Sequence, residues 1–222
     1  MEKALLFIDT TIGKKVVMAL TGLVLFGFTL GHMLGNLQVF LGPEKFNAYG
    51  MGLHAMLPLL WGTRFVLLIS FGLHVTMALQ LIARSSAARP EGYRKKKNDR
   101  TTFAALTMKH SGITLLFFVL YHLAHFTFPG VAMGAYEHQH YSRVYTNVVN
   151  GVAVPGGGAS DGAAMISLGL HLYHGSQSLL QTLGLNNPLR NKGLRSTAQF
   201  LALLLTTGTI ILPLSVLLGL VR

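Results

Sequence analysis

Polar and apolar positions divide the chain into long uncharged stretches separated by short charged ones. Residues 16–40, 65–83, 111–135, 162–189 and 196–221 contain no Lys, Arg, Asp or Glu. A hydrocarbon core takes roughly 20 helical residues to cross, and each stretch is long enough. The runs are continuous rather than alternating, so they read as helices and not as barrel strands. Two of them exceed a single span, and Pro129-Gly130 offers an exit from the third. The pattern predicts an all-α integral membrane bundle of five transmembrane helices, with spans at about 16–40, 60–83, 108–129, 162–185 and 197–221. Residues 1–222 form one domain without internal repeats. A short interfacial helix is expected at 142–150, within the connection that follows Pro129. Asp9 and Lys14-Lys15 precede a first stretch longer than a signal-peptide core, which predicts an uncleaved start.

Composition agrees. Hydrophobic residues make up 51% and charged residues 11%, whereas soluble domains carry about 25% charged residues. The absence of Cys excludes disulfides, iron–sulfur ligation by this chain and covalent c-type haem. A net charge of +11 could point to nucleic acid, but its distribution points to a membrane. Fourteen of the 18 Lys and Arg residues fall before the first stretch, between the second and third, or between the fourth and fifth. Lys45, Arg64, Arg143 and Arg222 fall on the other side. The positive-inside rule then predicts a cytoplasmic N-terminus, an outside C-terminus and a multi-pass protein of the bacterial inner membrane, with lipid as a partner and no nucleic acid. The basic run 94–97 is expected to be a solvated loop or a docking site for a partner or anionic lipid.

The chemistry lies in histidine. His32, His74, His122, His125, His171 and His174 fall within the apolar stretches, where an ionisable side chain signals function by default. The carboxylates Glu2, Asp9, Glu44, Glu91, Asp99, Glu137 and Asp161 are expected in termini or loops. That excludes a carboxylate-bridged di-iron centre and disfavours a cation transporter. Haem b suits such a donor set, because the porphyrin brings its own charge and the protein offers two neutral axial imidazoles. By the helical rise, His32 lies about 26 Å from Lys15 and His122 about 20 Å from Lys109, while His74 lies about 15 Å from Arg84. Two haems stacked across the bilayer are expected, with His32 and His122 in the outer half and His74 nearer the cytoplasm. Either His171 or His174 can partner His74, and depth alone prefers His174. Gly27, Gly31, Gly35 and Gly72 would admit a flat macrocycle or a packed helix.

The segment Gly31-His32-Met33-Leu34-Gly35-Asn36 with Gly42-Pro43-Glu44-Lys45-Phe46-Asn47 resembles the opening of the di-haem cytochrome b subunit of succinate dehydrogenase/fumarate reductase. Ser111-Gly112-Ile113 with Tyr121-His122, and His171-Leu172-Tyr173-His174-Gly175 with Gln181 to Gly184, match the same family. The resemblance covers nearly the whole chain. It implies a membrane anchor carrying two b haems, the outer one held by His32 and His122 and the inner one by His74 and His171. It implies a flavoprotein subunit and an iron–sulfur subunit on the cytoplasmic face, with electrons passing between them and quinone, expected to be menaquinone. Dicarboxylate chemistry belongs to those partners, so no catalytic residue is expected here. Some fumarate reductases of the family carry a glutamate near the fourth-helix histidine, where this chain has Gly169 and Leu170, which favours the succinate-oxidising direction. His174 and His110 are expected as haem neighbours, and Asn36 and His54 as quinone contacts. His125 is expected to pack or hydrogen-bond, and His138 and His140 to lie at the surface. The alternatives are the fumarate-reducing direction, the cytochrome b anchor of a hydrogenase or formate dehydrogenase, a haem-free anchor, or a histidine-lined metal transporter.

Overall fold

The computed structural model describes residues 7–88, 91, 101–127, 141–154, 157–185, 187, 189 and 191–222. The basic run 94–97, the Pro129 exit, His138 and His140 lie outside them. The described helices are α1 (Thr11–Asn36), α2 (Pro43–Ala55), α3 (Leu57–Ala87), α4 (Phe103–Leu106), α5 (Met108–Phe126), α6 (Val144–Ala153), α7 (Gly157–Thr182) and α8 (Asn191–Leu217). Among the described residues there is no strand. Three segments are long and apolar enough to cross a membrane: α1 with the 3-10 turn that continues it to Leu41, then α3, then α8.

Local chemistry sets the boundaries. Thr10 caps α1, its hydroxyl oxygen accepting from the Gly13 amide at 2.9 Å, so the helix starts five residues ahead of the uncharged stretch and takes in Lys14 and Lys15. Beyond Asn36 the chain tightens into the 3-10 turn Leu37–Leu41, and Gly42 breaks it at φ +93°, a conformation that favours glycine. Pro43 then starts α2, where a missing amide costs nothing.

The long helices run antiparallel. α1 packs against α3, α7 and α8, and α7 also packs against α5 and α8. One end of the bundle carries the start of α1 and the end of α3 with Lys14, Lys15 and Arg84, and is called the basic end below. At the opposite end α2 and α6 fold over the bundle as a cap. Val39, Phe46, Val152, Leu212, Val216 and Val221 form its core, with Tyr49, Tyr145 and Val148 around them. Asn47 Oδ1 ties the two cap helices by accepting from the Tyr145 amide at 2.9 Å.

The helix flanks are apolar and bare: on α3, Phe65 is 58% exposed, Leu68 68% and Ile69 61%. A contiguous apolar surface of this kind marks contact with lipid or another protein. Trp61, with the Arg64 guanidinium 5.0 Å over its ring, sits at the capped end of the same helix, matching an interfacial aromatic anchor. The expected interfacial helix at 142–150 is α6, preceded by a 3-10 turn at Tyr141–Arg143.

Candidate functional site

Four histidines meet in two pairs, and each pair joins helices that are not packed against each other. The neighbours run α3, α1, α7, α5, whereas the imidazoles reach across from α1 to α5 and from α3 to α7. His32 and His122 have ring centres 5.9 Å apart, nearly edge to face. His74 and His171 have ring centres 6.3 Å apart. Two imidazoles bound on opposite sides of one first-row metal ion, with metal–nitrogen bonds of about 2.0 Å, have ring centres roughly 6 Å apart. Both pairs therefore stand at a separation a single metal ion can bridge.

The inner pair, nearer the basic end, is oriented by hydrogen bonds. His74 Nδ1 lies 3.1 Å from the Met18 carbonyl oxygen and 3.3 Å from Thr21 Oγ1. A carbonyl only accepts, so Nδ1 carries the proton and donates. Nε2 is left with its lone pair. His171 Nδ1 lies 3.5 Å from Ser111 Oγ, whose own proton is given to the Met108 carbonyl at 3.1 Å; that oxygen is free to accept, and the same tautomer follows. Imidazoles that ligate metals are oriented in this way, with the second nitrogen donating to a fixed acceptor. Gly22 allows the close approach of His74, where a Cβ would meet Cε1 at 3.3 Å, whereas a Cβ at Gly112 would sit in ordinary contact with His171 Cε1 at 3.6 Å.

Aromatic rings hold the outer pair. Phe28 stacks on His32 at 5.3 Å, and Phe118 and Phe126 flank His122 at 5.5 and 5.1 Å. On α1 the small-residue stripe has a split use. Gly35 receives the Tyr49 side chain of α2, while no atom lies within 4 Å of a Cβ placed at Gly27, Gly31 or Gly72. Helix packing thus accounts for Gly35 but not for Gly27 or Gly31, which present bare backbone beside His32.

The pairs fit a cofactor that takes two imidazoles, since each offers two rings at a spacing one metal ion can bridge. Along α5, His122 is eleven residues beyond Ser111, which places the two pairs roughly 16 Å apart.

The remaining expected site residues are more dispersed. His174 is half-buried on α7, three residues beyond His171; the His74 ring is paired with His171. His110 is exposed at the start of α5. Asn36 donates to the His32 carbonyl of its own helix at 2.9 Å, and His54 Nδ1 lies 2.9 Å from the Gly50 carbonyl. Those two thus engage their own helices through these atoms. His125 is buried at 3% exposure, hydrogen-bonded to the Gly151 carbonyl and stacked on Tyr121 at 5.2 Å, so it fastens the cap to α5.

One expectation is corrected. Asp161 is not in a loop but inside α7, because the helix starts at Gly157. Ser111 faces His171, so ten residues back along α7 and eleven forward along α5 bring Asp161 level with His122. Glu44 likewise belongs to the first turn of α2. The site residues that sequence reasoning passed over are Thr21 and Met18, the Nδ1 partners of His74. The signal for Thr21 was a hydroxyl in the middle of an apolar span.

No protein-family model, curated protein or solved structure matches the chain.

Proposed function

We propose that the chain is the cytochrome b membrane anchor of a succinate dehydrogenase (succinate:quinone oxidoreductase), passing electrons between an iron–sulfur subunit and the membrane quinone pool. The observation that carries this reading is the crossed pairing of His32 with His122 and His74 with His171, at spacings of 5.9 and 6.3 Å. The resemblance of the histidine-bearing segments to the di-haem family supplies the partners: a flavoprotein and an iron–sulfur subunit at the basic end, and menaquinone. In this reading all five apolar stretches span the bilayer, α5 and α7 included. The N-terminus is cytoplasmic, since the basic residues gather at that end.

A b haem at each pair would supply reversible one-electron chemistry at iron. The chain's own contribution is orientation and exclusion. Met18, Thr21 and Ser111 fix the inner imidazoles in the tautomer that leaves Nε2 free. Each pair would hold its haem with two imidazoles, which suits electron transfer rather than oxygen activation. Phe28, Phe118 and Phe126 pack against the rings of the outer pair and hold their orientation.

The test is a dithionite-reduced minus oxidised spectrum with pyridine-haemochrome quantification on the purified protein. Two b haems per chain are expected. A folded chain that carries none overturns the reading.

A further inference from the structure

A buried ammonium stands near the inner pair, and among the described residues its counter-charge is distant and solvated. Lys14 is only 4% exposed. Its Nζ donates to Gln80 Oε1 of α3 at 2.5 Å, and its one carboxylate partner among the described residues is Asp9, 3.4 Å away on a side chain 80% exposed to solvent. A pair so long and so wet contributes little, while a buried charge is costly unless a counter-charge accompanies it. Gln80 presents its oxygen to the ammonium, and its amide nitrogen is a second donor on the same side chain. Lys14 and Gln80 thus bring polar groups of α1 and α3 together at one point.

Their position is specific. Lys14, Met18 and Thr21 follow at i, i+4 and i+7, one face of α1, and Met18 and Thr21 are the groups that hold His74. Lys14 is one turn before Met18, about 6 Å toward the basic end, and Gln80 is six residues beyond His74, about 9 Å the same way. That offset matches the reach of a porphyrin's propionate arms from its central iron. We propose that Lys14 and Gln80 together hold a propionate carboxylate of the macrocycle bound by His74 and His171, orienting its acidic edge toward the basic end. The inference rests on the haem reading of the inner pair.

Lys14 is then a positioning residue whose charge raises the inner haem's readiness to accept an electron. The experiment is a redox titration of both haems, resolved spectroscopically, in the purified wild-type protein and in Lys14→Gln, Lys14→Arg and Asp9→Asn. In Lys14→Gln the reduction equilibrium of the inner haem falls roughly tenfold, about 59 mV for one electron, and the outer haem does not move. Lys14→Arg keeps the wild-type value and shows that the helix pair folds, and Asp9→Asn leaves both haems unchanged. If Lys14→Gln binds both haems with wild-type potentials, the proposal is wrong; if anionic phospholipid is then also lost from the purified protein, Lys14 serves a lipid phosphate instead. A wild-type protein without haem removes this inference together with the function on which it rests. An inner haem that titrates normally in wild type but is indifferent to Lys14 removes this inference alone.

Discussion

Substituting Gly22 by Ala puts the inner pair under a measurable load. A Cβ at this position would lie 3.3 Å from His74 Cε1 and 3.6 Å from its Nδ1, and ordinary carbon–carbon contact is about 3.5–4.0 Å. The ring must give way by a few tenths of an ångström. It has little freedom to do so, because Nδ1 is held by the Met18 carbonyl and the Thr21 hydroxyl on the same helix as the new methyl group. Ligand distances in a good metal site are held to about 0.2 Å, so the displacement is comparable with the whole tolerance of the bond. Disturbing a ligand's supporting contacts costs about 10- to 100-fold in metal affinity, or about 1.4 to 2.8 kcal/mol. Gly112→Ala is the internal control. Its Cβ would sit 3.6 Å from His171 Cε1, ordinary contact, and haem binding should be unaffected. The assay is the rate and extent of haem loss to a scavenging apoprotein, followed by visible absorption. Gly22→Ala should release one haem at least tenfold faster than wild type and keep the other. Release at the wild-type rate, or equal release from Gly112→Ala, refutes the geometric argument.

Further outcomes follow from the same structure. His74→Ala removes the inner haem and spares the outer one, read as a fall from two haems to one by pyridine haemochrome. Phe46→Ala, which empties a 1% exposed position in the cap core, costs about 3–5 kcal/mol by denaturant titration in detergent, with haem content kept in the folded fraction. Gly208→Val drives a side chain into Met33 where α8 meets α1, an overpacking worth about 1–3 kcal/mol, seen as a lower thermal midpoint.

The long apolar helices were legible because uncharged length is a local property, and three of them are long and apolar enough to cross a membrane. Their ends were not, since they depend on single caps: Thr10 draws α1 back to Thr11, and Gly42 with Pro43 opens a helix, α2, that the apolar pattern did not announce. The cap depends on contacts far apart in sequence, such as Asn47 with the Tyr145 amide, and no periodicity encodes those. Among the site residues, the four paired histidines were visible as ionisable groups in apolar runs, while the partner of His74 came from the family resemblance and not from spacing. Depth counted along separate helices preferred His174. The structure pairs His74 with His171 because α5 sets the register of α7, with Ser111 and Gly112 against His171. Asp161 was misplaced for a related reason: its charge looked like a loop, yet the glycines before it let α7 begin four residues earlier.

The most direct test is low-temperature electron paramagnetic resonance of the oxidised protein, comparing wild type with His171→Ala and His174→Ala. The account predicts two low-spin ferric signals of bis-imidazole type in wild type, one of them lost in His171→Ala and both kept in His174→Ala. A wild-type spectrum without low-spin haem, or a signal lost in His174→Ala and kept in His171→Ala, contradicts it.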